Sequence, residues 1–294
     1  MNHTWLGGHR LEQLLFCYKS FFTRLPVDTL FQIISDLHEE FCGTTIKQMV
    51  NPDADIVIIA GDITHGVGLA ELASQAAKSS PHIEFIVIAG NHEFYHQDFD
   101  YHDYLSCLAL WNQFSDNLHF LENTSVVIDR YDLEVFGGIG WTNLSGLNDV
   151  NTLSLQMKLN DFKYITVNNR TLTPSKMREL NTEFKSACVA SMSASLKKNK
   201  IVVSHFPQSF ELKHSGFPVD LLTCYFCSDD NELIRELSTH GVNAMVSGHT
   251  HDNFDRIVEG VRQISSQVGY SHENDFDNNL LNSRKLHKLL KRSN

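Results

Sequence analysis

The chain has 294 residues, 42% of them hydrophobic and 20% charged, with a formal net charge of −11. A chain of this length buries a sizeable core, and this composition belongs to a globular protein rather than a disordered one. Its acidity argues against long nucleic acid, which draws most of its non-specific affinity from Lys and Arg, and no apolar run approaches the roughly 20 residues of a membrane span.

The charge is uneven. The stretch 283-SRKLHKLLKRSN-294 carries five Lys or Arg and no acid, so residues 1–282 hold a charge of −16. A small phosphorylated metabolite held by metal ions would not need a basic surface. The six cysteines at 17, 42, 107, 188, 224 and 227 form no disulfide-framework spacing. With no uninterrupted apolar core or cleavage site at the N-terminus, the expected compartment is the cytoplasm.

Residues 1–29 read as an N-terminal extension in which Leu11, Leu14, Leu15, Tyr18 and Phe22 fall at amphipathic-helix spacing. Three apolar runs follow: 31-FQIIS-35 before Asp36, 55-DIVIIA-60 before Gly61-Asp62, and 84-EFIVIA-89 before Gly90-Asn91-His92. Short β-branched runs without alternation read as strands covered on both faces, as in an α/β protein. Between the second and third, 68-GLAELASQAAKSS-80 reads as a crossover helix.

Next come a helix over 98–114 and strands near 118–121, 125–129 and 133–139. A long helix over 174–198 opens on Pro174, and strands follow at 200–204 and 243–247. The last leads into 248-GHTH-251 and a hairpin of 256–260 with 261–265. Residues 142–172 and 206–230, polar and weakly periodic, read as loops that shape a pocket. The basic tail, with Leu286, Leu289 and Leu290 at helical spacing, reads as a solvated terminal helix. The division is therefore an extension over 1–29, a catalytic domain over 30–275 and a basic tail over 276–294.

Asp36, His38, Asp62, Asn91, His92, His205, His249 and His251 all stand at the carboxyl ends of these strands, where α/β sheets place their sites. Singly, each Asp or Asn reads as a cap and each His as a structural histidine. Together, imidazole and carboxylate without a nearby thiolate suit Zn, Mn, Fe or Ni. Seven ligands are too many for one open ion and fit two that share a bridge.

The ordered series Asp36-Leu37-His38, Gly61-Asp62, Gly90-Asn91-His92-Glu93, Ser204-His205 and Gly248-His249-Thr250-His251 resembles the calcineurin-like metallophosphoesterase superfamily. Gly138-Ile139-Gly140-Trp141-Thr142, Leu159-Asn160-Asp161-Phe162 and Val268-Gly269-Tyr270 are similar to segments of small bacterial metallophosphoesterases. The resemblance implies a four-layer α-β-β-α sandwich of two mixed β-sheets flanked by helices. It also implies Asp36, His38 and His251 as ligands of a first metal, Asn91, His205 and His249 as ligands of a second, and Asp62 as the bridge.

Two divalent ions exceed the charge of Asp36 and Asp62, and the surplus attracts a phosphate oxyanion. Such a pair, about 3.5–4 Å apart, lowers the pKa of bound water from about 15.7 towards 7, giving a bridging hydroxide as nucleophile. His92 is then the group that protonates the leaving oxygen or holds the phosphoryl group. Trp141, Asn143, Asn160 and Asp161 are candidates for lining the pocket.

Two departures matter. Where the phosphoprotein-phosphatase branch has an Asp that partners the catalytic His and then an Arg, this chain has His65 and Gly66. Where many relatives carry a second consecutive histidine, it has Phe206 after His205. The expectation is a dinuclear hydrolase of small phosphodiester or pyrophosphate bonds. A metal-dependent nuclease and a non-catalytic scaffold are the alternatives, opposed by the acidic charge and by the complete ligand set.

Overall fold

Along β1 (Phe31–Ile34), Phe31 and Ile33 face one way and Ile34 the other, and all three are fully buried. That arrangement explains the unbroken apolar runs, because both faces of each strand are covered. The structure, a computed structural model, describes residues 28–290 except 67, 96–98, 221 and 274. The amphipathic spacing over Leu11–Phe22 lies outside the described residues.

The remaining strands are β2 (Ile56–Ala60), β3 (Glu84–Ile88), β4 (Leu118–Phe120), β5 (Thr124–Ile128), β6 (Leu133–Gly138), β7 (Thr166–Val167), β8 (Arg170–Thr171), β9 (Asn199–Ser204), β10 (Ala244–Val246), β11 (Asp255–Val258), β12 (Val261–Ile264) and β13 (Leu286–His287). One sheet runs β13-β1-β2-β3-β4 and the other β11-β12-β10-β9-β6-β5. Both are mixed: β1 to β4 are parallel with β13 antiparallel, and β6, β9, β10 and β12 are parallel with antiparallel strands at either edge. The two sheets face each other through Ile33, Ile58 and Ile86 on one side and Val135, Ile201 and Val246 on the other.

The outer faces take the helices. Val57, Ile59 and Val87 pack against Leu69, Ala73 and Ala77 of the helix Gly68–Ser79. Phe136, Val202 and Met245 meet Phe184, Cys188 and Met192 of the helix Pro174–Ala194 and Leu233 and Leu237 of Asn231–Thr239. Thr173 caps the long helix by accepting from the Lys176 N–H, with Pro174 in its first turn. This is the expected four-layer α-β-β-α sandwich. Its parallel strands all deliver their carboxyl ends to one edge, where a parallel bridge between Ser35 and Gln267 joins the sheets.

Two expectations change. The stretch 142–172 is not irregular: it forms helices Asp149–Lys158 and Asp161–Tyr164 and the hairpin β7–β8. Val150, Leu153 and Met157 of the first helix fall on one face at helical spacing yet stay exposed, and of its residues Leu155 is the buried one. The basic tail is not a solvated helix. Residues 276–282 form a helix, β13 pairs with β1 through Phe31↔His287 and Gln32↔Leu286, and Leu289 and Leu290 enter the core between the sheets. Cys224 and Cys227, at redox-motif spacing, are both buried side chains of the core.

Glu122 lies at the end of β4 and accepts from the Ile139 N–H at 3.1 Å, with Tyr101 Oη at 3.3 Å. Burial pushes its carboxyl up to about 7 from 4.5. The folded chain therefore holds this proton more tightly than the unfolded one, so its stabilising effect is complete at acid pH and is lost as pH rises from 4.5 through 7. Glu122→Gln, which stays neutral, should gain on the native protein by on the order of 2 kcal/mol between pH 5 and pH 8 in urea unfolding. An equal gap at both pH values would refute this.

Candidate metal centre

Where β1, β2 and β10 end, the chain leaves the sheet through left-handed residues. Asp36, His38, Asp62, His249 and His251 have φ of 52°, 46°, 54°, 72° and 55°. They are five of the eleven non-glycine residues with positive φ among the described residues. Each such conformation costs about 1–2 kcal/mol and persists only where its surroundings impose it. The sharp turns fold successive side chains onto one edge of the sandwich. Close approach demands glycine beside them: a Cβ at Gly90 would collide with the Asp62 carboxylate, and one at Gly248 with Ser35 Oγ and Asp36.

The turn that carries Asp62 is held by Glu93. Its Oε2 accepts from the N–H groups of Asp62 (3.0 Å) and Gly90 (2.6 Å), and its Oε1 from those of Ile63 (2.8 Å) and Thr64 (3.2 Å). Burial and the charge of Asp62 push this carboxyl up to about 7, with the Gly90 and Ile63 N–H groups acting against them. Gln267 does the same work for the His249–His251 loop. It accepts from the His251 N–H at 2.6 Å and donates to Asp252 O at 2.8 Å and Ser265 Oγ at 2.7 Å.

Three groups of ligand atoms form on this edge: Asp36, His38 and His251; Asp62, His205 and His249; and His38 with Glu40 and His92; within each, the atoms lie within 4.8 Å of one another. His38 Nε2 faces His251 Nε2 at 3.1 Å, and His251 Nε2 is 3.5 Å from Asp36 Oδ1. His205 Nε2 is 3.3 Å from Asp62 Oδ2 and 3.0 Å from Asn91 Oδ1. The opposite nitrogens are occupied: His205 Nδ1 donates to Ala60 O at 2.8 Å and His251 Nδ1 to Glu273 Oε1 at 2.8 Å. Since these oxygens only accept, the Nε2 atoms are the ones presented to the cluster.

His249 Nε2 is buried with no hydrogen-bond partner among the described residues. A buried nitrogen left so is costly unless something else satisfies it. The donor set, with two carboxylates, four imidazoles, one amide and no thiolate, fits first-row divalent cations. Electrostatics are tightly linked. Burial alone would raise the Asp62 carboxyl, but the charges of His205 and His92 hold it well below the carboxylate range. Burial alone would lower His205, yet Asp62 raises it to about 9. Burial, with the charge of His205, keeps His249 well below the usual imidazole value.

Asn91 is oriented from beneath. Its Nδ2 donates to Asp161 Oδ1 at 3.0 Å and to Tyr95 Oη at 2.9 Å, which turns Oδ1 towards His205. Asp161 also accepts from the Tyr95 hydroxyl and, at 2.9 Å, from Tyr225 Oη. It is therefore buried under a candidate ligand rather than lining the cleft. Of the other pocket candidates, Asn160 lines the cleft. Trp141 and Asn143 do not. The chain turns at Gly140 (φ 66°) away from the edge, so Trp141 enters the helix-side core and Asn143 Nδ2 donates to Asp229 O at 3.3 Å. Phe206 is fully buried with its ring 4.0 Å from that of His249, packing where relatives carry a second histidine.

His92 stands at the mouth of a cleft of about 630 Å³, shared with Asp62, Asn91, His249, His251 and Tyr270. Its Nδ1 is 3.2 Å from His65 Nε2, which is 3.1 Å from Glu40 Oε1. A carboxylate only accepts, so the His65 Nε2 proton serves both neighbours. His92 Nδ1 is then an acceptor and its own proton sits on Nε2, 3.4 Å from Tyr270 Oη and 3.9 Å from Asp62 Oδ2. Burial, with Asp62 opposing, takes this imidazole down to about 4. His92 is thus a neutral donor facing the cleft. Glu93 stood inside a motif read from the sequence without a role, and Glu40 stood two residues past another. Tyr95, Tyr225, Gln267 and Glu273 carried no local signal.

A family model described as calcineurin-like phosphoesterase matches residues 30–253. An uncharacterized protein of Acanthamoeba polyphaga mimivirus is 25% identical over 270 residues, covering 84% of this chain and 94% of that protein. Among solved structures, the phosphopantetheinyl hydrolase PptH from Mycobacterium tuberculosis has a TM-score of 0.66 at 15% identity, covering 84% of this chain and 91% of its own. TT1561 of Thermus thermophilus has a TM-score of 0.51 at 12% identity, covering 88% and 97%. At these identities the structural likenesses speak to the fold.

Glu93→Gln places an amide N–H₂ against backbone donors and should cost about 1–3 kcal/mol in urea unfolding. A change within about 0.5 kcal/mol, the range of ordinary surface substitutions, would show that the four hydrogen bonds are not what holds the Asp62 turn.

Proposed function

The chain belongs to the calcineurin-like phosphoesterase family, and we propose that it hydrolyses phosphodiester or pyrophosphate bonds of a small molecule with two divalent metal ions. The observation that carries this reading is the pair of adjacent ligand groups, Asp36–His38–His251 and Asp62–His205–His249, opening on one cleft. Asp36, His38 and His251 would hold one ion and Asn91, His205 and His249 the other, with Asp62, which stands in the second group, the carboxylate that would serve both. Manganese, iron, zinc and nickel all suit these donors. Bound there, two such cations neutralise phosphate charge and bring a water molecule towards ionisation near neutral pH.

The chain's own side chains do the rest. Asp161, Tyr95 and Tyr225 fix the Asn91 amide, and Glu273 and the Ala60 carbonyl fix which nitrogens His251 and His205 present. His92 offers a hydrogen bond from its Nε2–H to the oxygen that leaves, without giving up the proton, and Glu40, through His65, keeps it in that tautomer. The bland alternative, a scaffold that only binds partners, has no use for a histidine set in this way. The net charge of −11 favours a small substrate over a nuclease role.

The first test counts ions on manganese-reconstituted protein by elemental analysis and follows bis(p-nitrophenyl) phosphate against p-nitrophenyl phosphate. Close to two ions per chain with faster diester turnover is expected; two ions without turnover of either ester would overturn the proposal. His92→Ala should keep both ions and lose about 10²–10⁴-fold in kcat. If that variant sheds an ion instead, His92 is a ligand and its assigned role is wrong.

A further inference from the structure

Past His92 the cleft continues into a second recess of about 620 Å³. It shares His92, Tyr95, Asn160, Tyr270 and His272 with the first. Among the described residues, nine line it; seven of these carry an aromatic ring, and none of the nine carries a carboxylate, an ammonium or a guanidinium. The rings form a continuous band. Tyr164 lies 5.9 Å from Tyr95, Tyr95 5.9 Å from His65, His65 6.1 Å from Phe41, and Phe41 5.7 Å from Tyr270, centroid to centroid.

Three members of the band are left open to solvent, Phe41 at 56% and Tyr164 at 41% exposure, with His65 between them. A scattered exposed aromatic needs no explanation. Here three of them line the same recess, beside the imidazole that faces the phosphate cleft. Leaving a phenylalanine exposed forgoes about 1.5–3 kcal/mol of burial. A flat ring laid on this band recovers part of it and gains stacking, worth about 1–3 kcal/mol per ring. Sugar hydroxyls or a second anion find only Asn160 and Ser271 as non-aromatic partners.

We propose that this recess receives a planar aromatic ring joined to the substrate phosphate on the side of the leaving group. The inference rests on the phosphoester reading of the adjacent cleft. Two kinds of ligand share this chemistry, an aryl group attached directly at phosphorus or its ester oxygen, and a base held at the distance of a ribose.

The experiment is calorimetric titration of the manganese-loaded protein with two pairs of ligands that differ by a ring: phenylphosphonate against methylphosphonate, and adenosine 5′-monophosphate against ribose 5-phosphate. The ring-bearing member should bind about tenfold or more tightly in at least one pair, as one stacked ring predicts. An advantage in the first pair alone marks an aryl ester, and in the second alone a nucleotide. Phe41→Ala and Tyr164→Ala should each shrink the ratio within that pair. Equal affinities within both pairs, in protein that does bind the ring-less phosphates, overturn the recess and leave the phosphoester reading standing. If the ring-less phosphates do not bind at all, that reading falls and the inference falls with it.

Discussion

The site depends on one constraint of the backbone. Five of its eight principal residues sit in left-handed turns at strand ends, a conformation that side chains adopt at a cost. The turns persist because neighbouring groups tie their backbone down. Glu93 accepts four N–H groups around Asp62, Gln267 spans the His249–His251 loop, and Asp36 itself accepts from the His249 N–H at 3.0 Å. Without these ties the chain relaxes towards ordinary φ values and the two ligand groups come apart. The rigidity of the centre is therefore a property of its neighbours rather than of the ligands.

The same economy governs the side chains. Three candidate ligands act through a supported ring or amide: His205 leans on a carbonyl, His251 on Glu273, and Asn91 on Asp161. Each support removes the alternative orientation, so a cation meets donor atoms already turned towards it. The exceptions are His38, whose Nδ1 has no hydrogen-bond partner among the described residues, and His249, whose Nε2 has none while Phe206 packs on its ring. There the apolar contact fixes the plane and the free nitrogen is what remains. Glu40 and His65 extend the pattern to His92 by a different route from the Asp seen in the phosphoprotein-phosphatase branch.

Much of this was legible in the sequence because strands and site share one signal. A buried strand writes itself as an apolar run, and a site at its end writes itself as the polar residue that breaks the run, as Ile33-Ile34 before Asp36 or Met245-Val246 before His249 and His251. What escaped was whatever lacks such a break. The helix Asp149–Lys158 buries Leu155 and leaves Val150, Leu153 and Met157 exposed, and its Asn, Thr and Ser residues made the stretch read as loop. Trp141 looked like a pocket residue because it follows a strand, yet Gly140 redirects it into the core. Asp161, Glu273 and Gln267 act across 70, 22 and 16 positions on Asn91 and His251, and no local pattern encodes a partnership that long.

The basic tail escaped for a related reason, and its placement bears on how the protein is made. β1, whose end carries Asp36 and His38, has β13 as its outer neighbour, and Gln32 donates to Ser283 O across 251 positions. On a ribosome the strand at the heart of the site emerges long before its flank. Until β13 is made, β1 presents a bare, apolar edge of the kind that pairs with other chains. The acidic chain ahead of residue 283 likewise meets the basic stretch that follows only once that stretch has been synthesised. A nascent chain that ends short of residues 286 and 287 thus carries the ligands without the strand that flanks β1.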